Sequence, residues 1–318
     1  PDLFDGDIEF DQFPGGAANL TYRATTRTGE YVLRRAPLGE VTKGGHDMAR
    51  EHKVLSRLWE AYPLAPRAYH YCEDAGVMGK PFFVMERRRG HVVRRSWPAS
   101  FGHVEQRRTA ESLVDALADL HAVDVDAVGL SDLGRPDGFV QRQIDGWSRR
   151  WDAAATRPVE DMHAVSDALA ASIPVPSSVA ILHNDYKLDN TMVDDAGGLV
   201  AVFDWDMATL GDPLVDVGTL LAYWAQPDDP TYLVFGSNAV AIGEVFPKDE
   251  VRRRYAERSG RSLDDIAYYE ALALFRIAVI IEQIYARYVA GQTTDERFAA
   301  FEPLAPLLAN AAREKIEY

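Results

Sequence analysis

The chain has 318 residues, 47% of them hydrophobic and 26% charged, which is enough for about two domains with substantial hydrophobic cores. A formal net charge of -15 excludes a general affinity for nucleic acid or for an anionic membrane. The single cysteine, Cys72, excludes an intrachain disulfide and a thiolate zinc cluster.

The beginning of the chain lacks the basic and apolar regions of a signal peptide. The longest apolar stretch, residues 271–285, is interrupted by charged side chains and is too short to span a membrane. We therefore expect a cytoplasmic protein that makes no membrane contact. Because the first residue is Pro1 and not methionine, we also expect the native start to be missing or processed.

The first third of the chain is predicted to form strands and one helix. Gly15 and Gly16 precede a segment of alternating apolar and polar residues. The pair suits a simple turn and equally suits a loop whose backbone N–H groups approach phosphate. The predicted elements are a hairpin around the Thr28-Gly29 turn with its second strand at residues 30–35, an amphipathic helix at 48–59 and a buried strand at 81–86.

Helical spacing dominates from about residue 102 onward, apart from one central segment. Trp147 and Trp151 are four residues apart and are expected to pack on the same helix face. The predicted helices cover residues 104–121, 139–151, 249–259, 263–290 and 296–317, and a further helix is predicted to begin after the Gly-Asp-Pro sequence at 211–213. The sequence therefore predicts an α+β protein.

The central segment carries the residues with the clearest chemistry. Asp185 lies two residues after His183 and can accept a proton from a hydroxyl, and Lys187 can neutralise a phosphoryl group in transfer. Asn190 and Asp204, fourteen residues apart, supply the oxygen ligands that Mg²⁺ prefers. This order is that of the kinase catalytic loop and its metal-binding aspartate.

The residues between Asn190 and Asp204 predict a β-hairpin. Apolar segments at 191–193 and 199–203 flank a turn-forming Asp-Asp-Ala-Gly-Gly sequence at 194–198. Because a hairpin brings its two ends together, Asn190 and Asp204 are expected to lie side by side.

Two other phosphoryl-transfer classes fit the sequence less well. Asp204 and Asp206 resemble the paired aspartates of haloacid-dehalogenase-like phosphatases, but Ala208 occupies a position where that family has Thr or Val. No G-x-x-x-x-G-K-[ST] sequence occurs, which excludes a P-loop kinase.

Residues 183–224, including Met-Ala-Thr-Leu-Gly-Asp-Pro-Leu-Val-Asp-Val-Gly at 207–218, resemble the aminoglycoside phosphotransferase family of small-molecule kinases. Within that family, the chain is most similar to the branch also found fused to acyl-CoA dehydrogenases. The resemblance implies a bilobal protein-kinase-like fold, with a nucleotide-covering lobe at residues 1–86 and a helical catalytic lobe at 87–318. It also implies ATP and Mg²⁺ as cofactors and a small-molecule hydroxyl as the acceptor.

The resemblance also assigns roles in the nucleotide lobe. Arg34 stands in the register of the lysine that holds the nucleotide phosphates in kinases, and Glu51 is its expected partner. Gly15 and Gly16 would approach phosphate, although Ala18 replaces the family's usual serine. The adenine pocket would be formed by Met85, the carbonyl group of Glu86 and the N–H group of Arg88.

In the catalytic lobe, the resemblance implies that Asp216 holds the backbone of the catalytic loop, whereas its position alone suits a helix N-terminus equally well. His183 would brace the loop. The residues expected near the acceptor are Asp206, Tyr223, Trp224 and Arg276.

The predicted function is ATP-dependent phosphorylation of a hydroxyl group. The acceptor is left open between aminoglycosides, choline-like, sugar or homoserine-like compounds, and a hydroxy acid or acyl derivative. The alternative is a nucleotide-binding module that has lost catalysis, which the missing lysine and serine suggest and which the intact Asp185, Asn190 and Asp204 oppose.

Overall fold

The computed structural model describes residues 6–13, 19–37, 47–176, 178–227, 229, 232 and 240–317. Within these residues the N-terminal part is an antiparallel sheet with two helices, and the remainder is mostly helical. The predicted α+β, bilobal fold is confirmed. Gly15, Gly16 and Ala18 lie outside the described residues.

The N-terminal sheet has five strands in the order β1-β2-β3-β5-β4. The predicted hairpin at Thr28-Gly29 is confirmed, because β2 and β3 pair from Thr26 opposite Gly29 to Leu20 opposite Arg35. The short helix α2 was not anticipated. The bounds are β1 Glu9–Gln12, β2 Leu20–Thr26, β3 Gly29–Arg35, α1 Met48–Leu58, β4 Ala68–Cys72, α2 Ala75–Met78 and β5 Phe82–Glu86.

Alternation along the strands gives the sheet two different faces. Val32 and Phe83 point to the face that packs against Leu55 of α1, in the main hydrophobic core. Leu33 points the opposite way, into a smaller cluster. Arg34 therefore shares the face of Val32, toward α1 and the rest of the protein. The position of the lobe boundary, at the end of β5, stays a prediction from the sequence.

The helical part is organised around one long helix, α8, which packs against α4, α5, α6 and α9. Most of its first half is buried, from Tyr268 to Val279, as its apolar composition predicts. Trp147 and Trp151 on α4 are buried, as expected. The helices are α3 His103–His121, α4 Phe139–Ala154, α5 Glu160–Ala171, α6 Leu214–Tyr223, α7 Lys248–Ser259, α8 Ile266–Val289 and α9 Leu304–Glu317.

The prediction of one continuous helix over residues 296–317 is wrong. A 3-10 helix covers Glu296–Phe301, and α9 begins only at Leu304. Pro303 lies between them, and a proline has no N–H group to continue a helix from the preceding turn.

The central segment contains two small antiparallel pairs of strands. Strand β6 (Ala180–Leu182) pairs with β9 (Thr209–Gly211). Strands β7 (Thr191–Val193) and β8 (Leu199–Val202) form the predicted hairpin. Thr191 is paired with Val202, so the residues before β7 and after β8 emerge next to each other.

Two sets of hydrogen bonds join the N-terminal part of the protein, with its linker, to the rest of the chain. The guanidinium of Arg50 on α1 donates to the carbonyl oxygens of Leu133 and Ala208, at 2.8 and 2.7 Å. The linker after β5 forms a β-bridge between His91 and Val193. The preceding residue is Gly90, where a Cβ would lie 2.3 Å from the Val193 carbonyl oxygen, so only glycine fits this approach.

Within the part of the chain that the structure describes, no helix has the length and apolarity needed to cross a lipid bilayer.

Candidate active site

The loop after β6 is held by a buried carboxylate on α6. Asp216 is fully buried and accepts hydrogen bonds from the backbone N–H groups of His183 and Asn184, at 2.6 and 2.7 Å. Asp216 also lies in the first turn of α6, where a negative charge is favourable. The direct contacts show that its main partner is the loop backbone.

Replacing Asp216 by asparagine is expected to destabilise the protein and to misplace the loop. An amide has one acceptor oxygen, so one of the two buried N–H groups would lose its partner, which costs about 1–3 kcal/mol. Urea unfolding measures the loss of stability, and kcat of the folded variant measures the effect on the loop. Asp212→Asn is the matched control, because Asp212 is a buried carboxylate that binds Tyr269 and the start of α6 instead. Equal losses of kcat in both variants would contradict the assigned role.

His183 connects the loop to the strand that leads to Asp204. Its Nε2 atom lies 2.7 Å from the carbonyl oxygen of Phe203, and its Nδ1 atom accepts from the backbone N–H of Asp185 at 3.3 Å. Because a carbonyl oxygen only accepts, Nε2 carries the proton. The imidazole thus links the residue before Asp204 to Asp185, which is the bracing position predicted for it.

Asp185 is bound by the two polar side chains that follow it in the motif. The Nζ atom of Lys187 lies 2.7 and 2.6 Å from the two carboxylate oxygens, and Nδ2 of Asn190 donates to Oδ2 at 3.0 Å. Burial lowers the pKa of Lys187, but Tyr223 and Asp185 raise it by more, so the ammonium stays charged. The Asn190 amide turns its nitrogen toward Asp185 and its oxygen away from it.

The hairpin brings Asn190 and Asp204 to the same place. The backbone N–H of Phe203 donates to the carbonyl oxygen of Asn190 at 2.8 Å, and Asp204 is the next residue. Asp204 has φ = 69°, a left-handed conformation that is uncommon outside glycine and is concentrated at functional sites.

One guanidinium links α1 to Asp204. The Nε atom of Arg34 lies 2.9 Å from Oε2 of Glu51, and its Nη2 atom donates to Oδ1 of Asp204. The neighbouring Arg35 points to the other face of the sheet and donates to Met78. The pairing of Arg34 with Glu51, which the family resemblance implied, is thus present in the structure.

Three carboxylates surround this one cation. Burial, together with the charges of Asp204 and Asp206, raises the pKa of Glu51 to about 8 against the effect of Arg34. Glu51 is 1% exposed, so solvent does little to stabilise its charged form.

As pH rises from about 5 to about 8, the wild type is expected to lose unfolding free energy relative to the Glu51→Gln variant. Below the ordinary pKa of 4.5 the carboxyl group is protonated in both states. At higher pH the unfolded chain has lost the proton that the folded protein keeps, so rising pH favours unfolding until the folded group ionises near 8. Urea unfolding at several pH values tests this, and parallel curves for the two proteins would contradict it.

The residues expected near adenine lie at the end of β5. Met85 is buried opposite Val32, on the sheet face that carries Arg34. Glu86 ends the strand and forms an ion pair with Arg88 at 2.9 Å, and the Arg88 side chain also donates to the carbonyl oxygen of Pro63. The structure brings these residues together at the start of the linker, and their role toward adenine remains a prediction.

The four residues expected near the acceptor do not share one place. Tyr223 lies beneath Lys187, whose Nζ atom is 4.9 Å from the ring centre, and Arg276 donates to the carbonyl oxygen of Asn184 at 3.0 Å. Asp206 lies instead near Arg34, and its charge raises the pKa of that guanidinium. Trp224 requires a correction: it is 1% exposed and its indole donates to the carbonyl oxygen of Phe246, so it belongs to the core.

Two residues of the site were not singled out from the sequence. His121 on α3 is fully buried, with Nδ1 2.7 Å from the Tyr255 hydroxyl and Nε2 3.5 Å from Asp216. Burial lowers its pKa, so the ring is neutral. Asn184 has φ = 66°, and its place between His183 and Asp185 was the only signal for it.

The side-chain oxygens of Asn190 and Asp204 suit a magnesium ion that is shared with nucleotide phosphates. The Asn190 amide oxygen and the Asp204 carboxylate would hold it, and the Asp204 side chain is 34% exposed. Among the described residues, no group of three or more His, Cys, Asp or Glu side chains could hold a metal ion alone. A protein site of one carboxylate and one amide matches the way Mg²⁺ is shared with phosphates.

A sheet lobe with an Arg-Glu pair, joined to a helical lobe in which the loop at 183–190 is followed by a β-hairpin, defines a protein-kinase-like fold. The sequence profile of the Phosphotransferase enzyme family (APH) matches residues 9–264. The chain belongs to this family, and the predicted resemblance is confirmed.

Solved structures give the same result for the fold. A Ralstonia eutropha protein described as an aminoglycoside phosphotransferase is 28% identical, with a TM-score of 0.82 over 98% of this chain and 94% of that one. Aminoglycoside phosphotransferase APH(4)-Ia, in a complex with AMP-PNP and hygromycin B, is 18% identical, with a TM-score of 0.65 over 98% and 95% of the two chains.

Curated relatives include acyl-CoA dehydrogenase family member 11 from Gallus gallus, which is 30% identical over 97% of this chain and 40% of its own length. Family member 10 from Mus musculus is 29% identical over 91% of this chain and 27% of its own length. The chain thus spans less than half of the curated relatives it matches.

Proposed function

We propose that this protein transfers the γ-phosphoryl group of ATP to a hydroxyl group of a small molecule. The observation that carries the proposal is the convergence of Asp185, Asn190 and Asp204 at the base of one hairpin. Membership of the phosphotransferase family and the AMP-PNP bound by APH(4)-Ia support it.

Asp185 would orient the acceptor hydroxyl and take its proton. In the structure both carboxylate oxygens accept from Lys187, so an arriving hydroxyl would compete with the ammonium for one of them. Lys187 would then be available to neutralise the phosphoryl group in transfer. His183 would keep the loop in register with Asp204 through its contact with Phe203.

Arg34 would hold the nucleotide phosphates, with Glu51 as its anchor on α1. Asn190 and Asp204 would hold Mg²⁺, which when bound neutralises phosphate charge. The end of β5, through Met85, the Glu86 carbonyl and the Arg88 N–H, would bind adenine. Gly15 and Gly16 would cover the phosphates. Catalysis in this arrangement is mainly positioning and electrostatic stabilisation.

The acceptor would lie between the catalytic loop, α6 and α8, against Tyr223 and Arg276. APH(4)-Ia was crystallised with hygromycin B, whereas the curated relatives are acyl-CoA dehydrogenase family members. We favour a hydroxy acid or acyl derivative, because the side chains beside Asp185 are cationic.

The test is nucleotide turnover across a panel of acceptors that contains aminoglycosides, choline, sugars, homoserine and hydroxy acids. ATP and GTP are compared, with and without Mg²⁺, and Asp185→Asn is assayed in parallel. Acceptor-dependent turnover that the variant lacks would support the proposal. Nucleotide binding without turnover on any acceptor would favour a catalytically inactive binding module.

A further inference from the structure

Arg276 is a buried guanidinium next to the catalytic loop with an unused donor. The residue is 6% exposed, and its Nη2 atom donates to the carbonyl oxygen of Asn184 at 3.0 Å. Its Nη1 atom is buried and has no hydrogen-bond partner in the part of the chain that the structure describes. The guanidinium lies 5.6 Å from the centre of the Trp147 ring.

Within the part of the chain that the structure describes, this cation has no carboxylate of its own. Among the described residues, Arg276 forms no ion pair, although buried charges in proteins are normally paired. Asp185 is the acidic group with the largest electrostatic effect on it, but Lys187 contacts both oxygens of that carboxylate. A second cation, Arg150, is near enough to repel it.

A second unused polar atom lies on the same loop. The Oδ1 atom of Asn184 is buried and has no hydrogen-bond partner within the described residues, while the carbonyl group of the same residue binds Arg276. A buried water molecule would satisfy the free Nη1 donor. Water would not offset the charge of the guanidinium, however, and an anion would.

We propose that Arg276 binds a carboxylate of the acceptor, so that the substrate is a hydroxy acid with a free acid group. This inference rests on the proposed function, because it takes the loop at Asp185 as the place where the hydroxyl reacts. The carboxylate accepts a charge-assisted hydrogen bond from Nη1 and gives the buried cation its missing partner. A neutral ester or amide would accept the bond without supplying the charge, and would bind less tightly.

The test measures binding and not turnover. The probes are 2-, 3- and 4-hydroxybutyrate, which differ in the spacing of hydroxyl and carboxylate, and the three corresponding hydroxybutyramides. Each is titrated into the full chain by calorimetry. We expect at least one acid to bind roughly 30-fold more tightly than its amide, as for a buried charge pair. Equal binding of every acid and its amide, or no binding of any acid, would overturn the inference.

Arg276→Met is expected to remove the preference for the acid. Arg149→Met is the matched control, because Arg149 is an exposed arginine on the same helix as Trp147. An acid preference that survives in Arg276→Met would show that this residue only braces the loop. If that variant does not fold, the comparison of acid and amide in the wild type still decides the question.

The two proposals fail in different ways. Turnover with neutral acceptors only would overturn the carboxylate site and leave the kinase function standing. Selective acid binding without any turnover would overturn the kinase function and leave the carboxylate site standing.

Discussion

Replacing Asp185 by asparagine is expected to lower kcat by roughly 10²- to 10⁴-fold, the usual contribution of a general base. The amide keeps the shape of the side chain but cannot take a proton from the acceptor hydroxyl. Nucleotide affinity should change little, because Asp185 is bound to Lys187 and Asn190 and has no contact with Arg34. The expected result is therefore a loss in kcat with the KM for ATP preserved.

The measurement is acceptor phosphorylation, with nucleotide affinity determined separately by calorimetry. Asp249→Asn is the control, since Asp249 is a 93% exposed aspartate on α7 that pairs with Arg252. If Asp185→Asn retained kcat within about threefold of the wild type, Asp185 would not be the base.

Replacing Asp204 by alanine is expected to raise the Mg²⁺ concentration needed for turnover by roughly 10²-fold or more, because it removes the carboxylate that we propose as the metal ligand. The effect on the stability of the nucleotide-free protein should be small. Asp204 is one of three carboxylates around Arg34, and its charge raises the pKa of Glu51. Its removal relieves that crowding and leaves Arg34 paired with Glu51.

Turnover as a function of Mg²⁺ concentration tests the first part, and urea unfolding without nucleotide tests the second. Asp195→Asn is the control on the same hairpin, because Asp195 lies in its turn with a side chain that is 94% exposed. An unchanged Mg²⁺ requirement in Asp204→Ala would rule out Asp204 as a ligand. A loss of stability well beyond the roughly 1–2 kcal/mol that alanine costs at a left-handed backbone position would mean that Asp204 mainly anchors Arg34.

The arginine in place of the usual kinase lysine has a structural explanation. A guanidinium presents several donors in a planar fork, so Arg34 reaches Glu51 through Nε and Asp204 through Nη2 at the same time. The ammonium of a lysine is a single point of charge. The departure from the lysine pattern therefore does not by itself indicate a lost nucleotide site.

Much of the fold followed from local patterns. Alternation along β3 fixed the directions of Arg34 and Arg35, and the turn residues after Asn190 fixed a hairpin that returns to Asp204. These features depend on neighbours within one element, where the period of two or of 3.6 residues determines the side-chain direction. The order of the proposed catalytic residues was visible because their spacing lies within one short stretch of sequence.

The failures came where separate elements meet. Sequence position left Asp216 equally suited to the helix dipole and to the catalytic loop, and the packing of α6 beneath the loop decided for the loop. Trp224 follows Tyr223 at the end of α6, and only the fold shows that one lies beneath Lys187 and the other in the core.

The sequence by itself determined the class of chemistry, because the residues of the loop and hairpin are close along the chain. The tertiary structure alone decided the surroundings of Arg276, which meets Asn184 from 92 residues away. Whether a buried side chain finds all its hydrogen-bond partners depends on every element packed around it. A pattern within one segment of sequence therefore cannot predict it.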